Sequence, residues 1–391
     1  MSQPVILAAR RTPVGRFLGG LSRVPSPQLG ALAVQAVLED VPAARDHVDE
    51  CIMGCVLQAG LGQNPARQAG LKAGLPDTLN AMTVNKVCGS GLQAVMLAGQ
   101  SIRAGDNELV LAGGFENMSL APHLEYVRTG VKFGDVKLQD HMAHDGLTCA
   151  FEGWPMGNAA EHIAAKHNIS REEQDRFSAQ SHHRAAEASE KCWFKAEITP
   201  LTAEQLKQKA GVEKDEGFRT DTSAQKLAKL RPVFVKDGTV TAGNASQISD
   251  GAAAIIVASE RKAEEIGAKP RARIVDACTS GVAPKDIFDA PAVGIAMLLK
   301  RNNLSVGDID LFELNEAFAV QVLANIGELG IPEDKLNICG GGIALGHPIG
   351  ASGARVLTTL LHQMERIDAK RGVASLCLGG GNSVSMLLER P

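Results

Sequence analysis

The sequence contains no long apolar segment. Its longest uninterrupted apolar run, residues 252–258, is about a third of the roughly 20 residues that a helix needs to cross the hydrocarbon core of a bilayer. Another apolar stretch, residues 5–9, stands between prolines at 4 and 13. It is too short for the core of a signal peptide and is typical of a first strand. The sequence therefore predicts a protein with no membrane span, located in the cytoplasm.

Charge of one sign is not in excess either. The 391 residues include 40 basic and 44 acidic side chains, which gives a formal net charge of -4. This balance excludes a general attraction to nucleic acid or to an anionic membrane, so any phosphate site must be local. The length exceeds that of one ordinary core and is typical of two domains or of two fused similar units.

The eight cysteines do not form a disulfide framework. They are scattered through a long chain that carries no secretory signature, which predicts reduced thiols in a reducing compartment. Cys51 and Cys55 have the spacing of half a metal site, but no second cysteine pair and no His-x-x-x-His follows them. We interpret both as buried cysteines on a strand, and we predict no metal site.

Short apolar runs alternate with helical periods in the first half of the chain, which predicts an α/β protein with a largely parallel, covered sheet. The alternation breaks over residues 119–245, where a polar loop, two helices and a charged stretch follow one another. We interpret this part as an inserted loop domain that covers the active site and returns to the first lobe. It separates an N-terminal lobe, residues 1–118, from a C-terminal lobe, residues 246–391.

A faint internal repeat supports this division. Ser-Gly at 90–91, a helix, a strand and Gly-Gly at 113–114 are followed later by Ser-Gly at 352–353, a helix, a strand and Gly-Gly at 379–380. Two chemically distinctive segments stand at corresponding ends of this repeat. The pattern predicts two similar α/β lobes built from duplicated units.

Cys88 is the first of these distinctive positions. It follows an apolar run and precedes a helical period that begins in Cys-Gly-Ser-Gly, residues 88–91, which places it at a corner between a strand and a helix. The helix N-terminus, together with a protonated His347 if that residue is adjacent, is expected to lower the thiol pKa from roughly 8.5 to about 3.5–7.5. The structural alternative is a small residue buried at a tight turn.

His347 and Cys377 also stand among glycines. His347 lies between Gly346 and Pro348 in a loop, a poor place for a core histidine and a good one for a rigidly aimed imidazole that acts as a base and as a donor to an oxyanion. Cys377 ends an apolar run just before three glycines, so we expect its thiol at the carboxyl end of a strand, where α/β sheets place ligands. A buried strand cysteine is the alternative. Two thiols and one imidazole indicate thioester chemistry.

Asn315 and Glu316 follow an apolar run and precede a helical period. This position predicts that Asn315 is the N-cap of the helix and that Glu316 interacts favourably with the helix dipole.

Four segments, in this order, resemble the thiolase family: Cys-Gly-Ser-Gly at 88–91, Asn-Glu-Ala-Phe at 315–318, Gly-His-Pro-Ile-Gly-Ala-Ser-Gly at 346–353 and Cys-Leu-Gly-Gly-Gly at 377–381. The resemblance covers essentially the whole chain. It implies the thiolase fold, with two similar mixed-sheet lobes in a layered α/β/α/β/α arrangement and a loop domain inserted in the first lobe.

The resemblance also implies roles for these residues. Cys88 would be the nucleophile that becomes acylated, and His347 would activate it and help to form an oxyanion hole. Cys377 would be the acid/base at the α-carbon of the second acyl-CoA. Asn315 would hold a water that completes the first oxyanion hole, and the backbone N–H groups of Cys88 and Gly379 would form the second.

The same resemblance implies that coenzyme A thioesters are substrates, that no cofactor is needed, and that residues from several segments contact the acyl-CoA: Arg219, Ser246, Met156, Leu147, Ala317 and Phe318. Arg219 is followed by a basic stretch with Lys226, Lys229 and Arg231. That stretch could bind the phosphates of coenzyme A or form a solvated surface.

The expected reaction is the reversible Claisen condensation of two acetyl-CoA molecules to acetoacetyl-CoA, a step of fatty acid metabolism. Short-chain biosynthetic thiolases commonly have His-Met-Gly where this chain has Pro-Met-Gly at 155–157, so a degradative 3-ketoacyl-CoA thiolase of broader specificity is the alternative. Residues 118–146 resemble the tetramerisation loop of the biosynthetic group, which implies a homotetramer, a dimer of dimers. From a different class, a catalytically silent scaffold that binds acyl-CoA also remains open.

Overall fold

The structure is a computed structural model that describes residues 2–391. Its strands are β1 (Pro4–Arg11), β2 (Gly15–Arg16), β3 (Glu50–Gly54), β4 (Asn80–Val84), β5 (Leu109–Asn117), β6 (His123–Leu124), β7 (Gln139–Asp140), β8 (Ser249–Ser259), β9 (Ala272–Gly281), β10 (Leu311–Leu314), β11 (Arg371–Leu378) and β12 (Asn382–Glu389). Its α-helices are α1 (Ser26–Asp40), α2 (Pro65–Lys72), α3 (Ser90–Ala104), α4 (Met156–His167), α5 (Arg171–Glu190), α6 (Ala203–Leu206), α7 (Ala224–Leu227), α8 (Glu260–Glu265), α9 (Ala290–Arg301), α10 (Ala319–Leu329), α11 (Gly342–Leu345) and α12 (Ser352–Arg366). Short 3₁₀-helices cover Pro42–His47, Met118–Leu120, Pro284–Asp289, Val306–Asp308 and Glu333–Lys335, and a π-helix covers Met142–Gly146.

The main strands pair in the order β10-β11-β12-β9-β1-β8-β5-β3-β4, with β2 on β8. Only β3–β4, β3–β5 and β10–β11 pair in parallel, whereas β8 is antiparallel to both β1 and β5. The sheet is therefore mixed, and the largely parallel sheet predicted from the alternation is wrong. The order consists of two halves, each with a parallel part at its outer edge, which meet where β1 pairs with β9 over two residue pairs.

The strand pairing also contradicts the predicted start of the C-terminal lobe at residue 246. Strand β8, residues 249–259, lies between β1 and β5 and belongs to the N-terminal half of the sheet. Its eleven residues are all buried, so it is the central strand of that half. A return of the chain to the first sheet after a long insertion leaves no mark in the local pattern, because a buried strand has the same apolar sequence in either lobe.

Three apolar clusters define the layers. Helices α1 and α2 cover one face of the N-terminal half. Helices α3 and α12 lie between the two halves of the sheet and contribute to one shared cluster with strands of both. Helices α9 and α10 cover the far face of the C-terminal half. This is the expected α/β/α/β/α layering, since helices cover both faces of each half of the sheet.

The two central helices approach most closely at the repeated Ser-Gly pairs. A Cβ atom on Gly91 of α3 would lie 2.8 Å from the backbone nitrogen of Ala354, and one on Gly353 of α12 would collide with the backbone of Leu92. Glycine is therefore needed at both positions for the helices to cross. Because the segments before these pairs carry Cys88 and His347, the crossing brings both residues to the same end of the central layer.

The segment between β5 and β8 contains helices α4 to α7 and the small hairpin of β6 and β7. Helix α4 packs against α10 and against the 3₁₀-helix Pro284–Asp289. In the chain from residue 2 to 391, no helix is both long and apolar enough to cross a membrane.

Candidate active site

One cavity of about 830 Å³ opens at the end of the central layer. Ten of the eleven residues proposed from the sequence line it, namely Cys88, His347, Cys377, Gly379, Arg219, Ser246, Met156, Leu147, Ala317 and Phe318. They come from both lobes and from the inserted segment. The remaining one, Asn315, lies behind the cavity wall and contacts His347.

Cys88 lies in the corner between β4 and α3, as predicted. The turn is closed by Ser90, whose hydroxyl accepts a hydrogen bond from the Lys86 nitrogen at 2.8 Å and donates one to the Val87 carbonyl at 2.6 Å. Val87 has φ 47°, a left-handed conformation that is unusual for a β-branched residue and that the surrounding contacts must hold. A Cβ on Gly89 would collide with Leu378. The turn that carries Cys88 therefore packs directly against β11, the strand that carries Cys377.

The imidazole of His347 is held in one tautomer. Its Nδ1 lies 2.6 Å from Ser352 Oγ, and that hydroxyl donates its only proton to the Pro348 carbonyl at 2.8 Å. Ser352 must therefore accept from Nδ1–H, which leaves Nε2 without a proton. The Asn315 amide nitrogen lies 3.5 Å from Nε2, so the amide can donate only a weak hydrogen bond to the ring. His347 thus presents a free basic nitrogen.

Burial, rather than attraction between a Cys88 thiolate and a protonated His347, has the largest effect on the pKa values at this site. It raises the pKa of Cys88 to about 12, with a further contribution from the negative charge of Glu116. It also lowers the pKa of His347 to about 3, and the positive charge of Arg355 acts in the same direction. The expected low thiol pKa is therefore wrong, because burial disfavours the thiolate and the neutral imidazole supplies no positive charge to oppose this effect. Formation of a Cys88 thiolate would therefore need a base, and the unprotonated Nε2 of His347 belongs to the same cavity.

Cys377 lies at the carboxyl end of β11, as predicted, and it is 2 % exposed. Burial and the nearby Cys88 raise its pKa above the ordinary range of a thiol. The glycines that follow turn the chain sharply, with φ of 87° at Gly380 and 83° at Gly381. These conformations favour glycine. The turn leaves Gly379 on the cavity wall next to a neutral thiol, which can give up a proton.

Asn315 is not a helix cap, contrary to the prediction. Helix α10 begins at Ala319, four residues later, with Phe318 in the N-cap position. Asn315 is fully buried instead and points its amide nitrogen at His347. Its Oδ1 has no hydrogen-bond partner among residues 2–391, so this buried acceptor is available to a donor such as water. The sequence showed only an amide residue before a helix, and this pattern is the same for a helix cap and for a residue that contacts His347.

Glu316 does not serve the helix dipole either. Its buried carboxylate accepts hydrogen bonds from Ser181 Oγ at 2.6 Å, Asn337 Nδ2 at 2.9 Å and the Ile343 nitrogen at 3.2 Å. These partners belong to α5, to the loop before the glycines and to α11. Glu316 therefore anchors the start of the loop that carries His347.

One end of the cavity is apolar. Phe318 packs edge-on against Phe288 and Phe234, with ring centroids 5.3 Å and 6.3 Å apart. Pro155 and Met156 complete this wall. Neither Phe234 nor Phe288 was identified from the sequence, because a phenylalanine in an apolar stretch has no feature that separates a pocket wall from an ordinary core.

The polar end of the cavity carries Arg219 and Ser246. Lys226, by contrast, pairs at 2.6 Å with Asp221 on the exposed surface. Neither Lys226 nor the other basic residues of that stretch, Lys229 and Arg231, line the cavity. The structure thus favours the solvated surface for Lys226.

Replacing Ser352 by alanine is expected to lower the rate of any reaction in which His347 is the base. Without the hydroxyl, Nδ1–H loses its acceptor and the ring can rotate or change tautomer. The loss of one orienting hydrogen bond, about 1 kcal/mol, corresponds to a decrease in kcat of roughly fivefold to tenfold. Steady-state kinetics of the variant would measure it, and an unchanged kcat with unchanged pH dependence would contradict this role.

Two thiols, a neutral base and an apolar wall allow a specific kind of chemistry. One thiol can form a covalent thioester after His347 takes its proton, while the second moves a proton at an adjacent carbon. Backbone N–H groups at the start of α3 and at Gly379 can stabilise an oxyanion. Cys51 and Cys55, in contrast, are fully buried, as predicted, although only Cys51 lies within β3 and Cys55 follows its last residue.

Comparisons with known proteins agree with this arrangement. The family model described as "Thiolase, N-terminal domain" matches residues 4–261, and "Thiolase, C-terminal domain" matches residues 268–390. An acetyl-CoA acetyltransferase of Chromobacterium violaceum is 52% identical over 388 residues, which are 99% of each chain. One of Pseudomonas aeruginosa is 50% identical over 392 residues and the full length of both.

The likeness extends to a solved structure. The crystal structure of the Bacillus anthracis acetyl-CoA acetyltransferase superimposes with a TM-score of 0.97 at 40% identity, covering 100% of this chain and 99% of that one. The family boundary between residues 261 and 268 also follows β8, in agreement with the strand pairing. Fold, site residues and full-length similarity lead to one conclusion: this chain belongs to the thiolase family.

Proposed function

We propose that the protein catalyses the reversible Claisen condensation of two acetyl-CoA molecules to acetoacetyl-CoA and coenzyme A, through an acyl-Cys88 intermediate. The observation that carries the proposal is the meeting of Cys88, Cys377 and a neutral His347 at one cavity. The relatives named acetyl-CoA acetyltransferase support the choice of acyl group.

In the first half-reaction, Cys88 Sγ attacks the thioester carbonyl of acetyl-CoA while its proton passes to His347 Nε2. The oxyanion that forms is stabilised by the N–H groups of Cys88 and Gly379. The bond to the coenzyme A sulfur then breaks, and the departing thiolate takes the proton of Cys377. The enzyme is left with an acetylated Cys88, a protonated His347 and a Cys377 thiolate.

In the second half-reaction, the Cys377 thiolate removes a proton from the α-carbon of a second acetyl-CoA. The enolate oxygen is stabilised by His347 Nε2–H and by a water held at Asn315. The carbanion attacks the acetyl carbonyl on Cys88, the thiolate of Cys88 leaves, and His347 returns its proton. Every group regains its starting state, and because each half-reaction uses one acyl-CoA, the kinetics should be ping-pong.

Coenzyme A thioesters are substrates in this scheme and no other cofactor takes part. Arg219 and Ser246 would contact the coenzyme, whereas Leu147, Met156, Ala317 and Phe318 would contact the pantetheine and acyl parts. We also propose a cytoplasmic enzyme of fatty acid metabolism. A homotetramer is supported by the large apolar side chains that the loop before α4 exposes, including Leu120, Tyr126, Val127, Val131, Phe133 and Leu138.

A degradative 3-ketoacyl-CoA thiolase is the second candidate, because Pro155 provides no polar contact on the acyl wall. The test is the rate of thiolysis by coenzyme A across 3-ketoacyl-CoA chain lengths, with a Cys88→Ala control. We expect acetoacetyl-CoA to give the highest kcat/KM by about tenfold or more, since a small pocket loses roughly 1–3 kcal/mol per misplaced methylene. Equal or better rates with six-carbon and longer chains would support the degradative enzyme instead.

A further inference from the structure

Glu116 is a buried carboxylate that the reaction described above does not use. It lies at the end of β5 and is 0% exposed. Its oxygens accept from the backbone nitrogens of Val56 at 3.0 Å, Leu57 at 3.2 Å and Gly350 at 3.0 Å, and Cys55 Sγ lies 3.7 Å away. All four donors are neutral. A carboxylate without a cationic partner is costly to bury, which indicates a specific use.

The donors belong to two separate segments. Residues 55–57 follow β3, and Gly350 ends the loop 346–350 that carries His347. In this loop a Cβ on Gly350 would lie 2.7 Å from Glu116 Oε2 and 2.8 Å from the Phe115 carbonyl. The loop therefore rests directly on the end of β5, with the carboxylate between the two segments.

The His347 loop lines the cavity through His347 and Ile349, and residues 55–57 pack against that loop. Leu57 and Ile349 share one apolar cluster, and Cys88 packs against it. His347 is two residues before Ile349, with Pro348 between them as a rigid link. A shift of Gly350 would therefore move the imidazole relative to the Cys88 thiol.

The Glu116 charge also acts on its surroundings. Burial raises the pKa of Glu116 to about 7, although the backbone N–H groups oppose this change. The titratable groups near it are the thiols of Cys55 and Cys88, and its charge raises the pKa of both. Electrostatics alone would thus make Glu116 unhelpful for forming the Cys88 thiolate, so its contribution must come from geometry.

We propose that Glu116 is a positioning residue, whose carboxylate joins the His347 loop to residues 55–57 and so aims the imidazole at Cys88. The inference rests on the proposed roles of Cys88 and His347. It predicts that removal of the carboxylate slows turnover even though it removes a charge that disfavours the thiolate.

The test is Glu116→Gln, assayed by acetoacetyl-CoA thiolysis at about pH 8, above that pKa. Glutamine keeps the shape of the side chain but replaces one carboxylate oxygen by an NH₂ group. The backbone N–H group that donated to that oxygen then faces a donor and has no acceptor. One lost charged hydrogen bond plus one unpaired donor corresponds to a decrease in kcat of about tenfold to 100-fold. KM for both substrates should stay within about twofold, because Glu116 lies behind the cavity wall.

Asp49→Asn is the matched control. Asp49 accepts from the nitrogens of Glu108 and Leu109, at 2.7 Å and 2.9 Å, at the opposite end of the same strand. It should leave kcat unchanged. Wild-type turnover and an inactive Cys88→Ala variant test the proposed function separately, before Glu116 is examined.

Glu116→Asp keeps the negative charge, but its side chain is one methylene shorter, so the carboxylate cannot contact both segments. It serves as the second variant if the glutamine protein does not fold, and it should show the same selective loss of kcat. A folded variant with kcat within twofold of wild type, a change in KM alone, or a loss no larger than that of Asp49→Asn would overturn the proposal. Failure of both variants to fold would assign Glu116 a purely structural role and would also overturn it.

Discussion

Replacing Cys88 by alanine should abolish turnover, with kcat lower by at least about 10⁴-fold. The variant lacks the atom that forms the proposed acyl intermediate, and removal of a nucleophile that acts together with its base leaves only binding and oxyanion stabilisation. The side chain is half-buried in a turn closed by Ser90 and packs at the edge of two apolar clusters, and alanine removes only its sulfur atom, so folding should be retained. Thiolysis of acetoacetyl-CoA measures the effect.

A second readout identifies the intermediate. Wild-type protein mixed with acetyl-CoA alone should gain the mass of one acetyl group on a peptide that contains residue 88, and Cys88→Ala should not. Cys192→Ala is the control, since that thiol is exposed on the surface. Turnover by Cys88→Ala above about 1% of wild type, or acetylation at another cysteine, would contradict the proposed nucleophile.

Replacing Cys377 by alanine should separate the two half-reactions. Condensation and thiolysis are expected to slow by about 10²–10⁴-fold, the usual contribution of a general acid–base group. Acetylation of Cys88 by acetyl-CoA should remain within about tenfold of wild type, because coenzyme A thiolate is a good leaving group even without a proton donor. Stopped-flow release of coenzyme A and steady-state turnover, measured on the same sample, distinguish the two steps.

Cys51→Ala is the control for the loss of a buried strand thiol. Cys51 lies in β3, is fully buried and does not line the cavity, so it reproduces the packing change without the chemistry. Its turnover should be unchanged, with a loss of stability similar to that of Cys377→Ala. Equal slowing of acetylation and condensation in Cys377→Ala would mean that Cys377 acts on the first step as much as on the second.

The positions of the reactive groups were predictable because short segments carry them. Cys88 and Cys377 each adjoin glycines after an apolar run, and His347 stands in a glycine-rich loop, so the local sequence is enough to identify them. The repeated Ser-Gly pairs likewise predicted two similar units, and the structure shows why they recur, since both are the points at which α3 and α12 cross.

Other features could not be predicted, since they depend on residues far apart in the chain. Asn315 faces His347 across 32 positions, and Glu116 binds Gly350 across 234. The position of β8 in the first half of the sheet depends on its pairing with β1 and β5. Local propensity has no information about any of these contacts.

By itself, the sequence determined the α/β class, the pair of similar lobes, the absence of a long apolar span and the identity of the two thiols and the imidazole. Each of these depends on residue type, period or spacing within a short segment. Only the tertiary structure decided the sheet order, the neutral state of His347, the high pKa of the Cys88 thiol and the contacts of Ser352 and Glu116. Burial and long-range hydrogen bonds set these properties, and both exist only after the chain has folded.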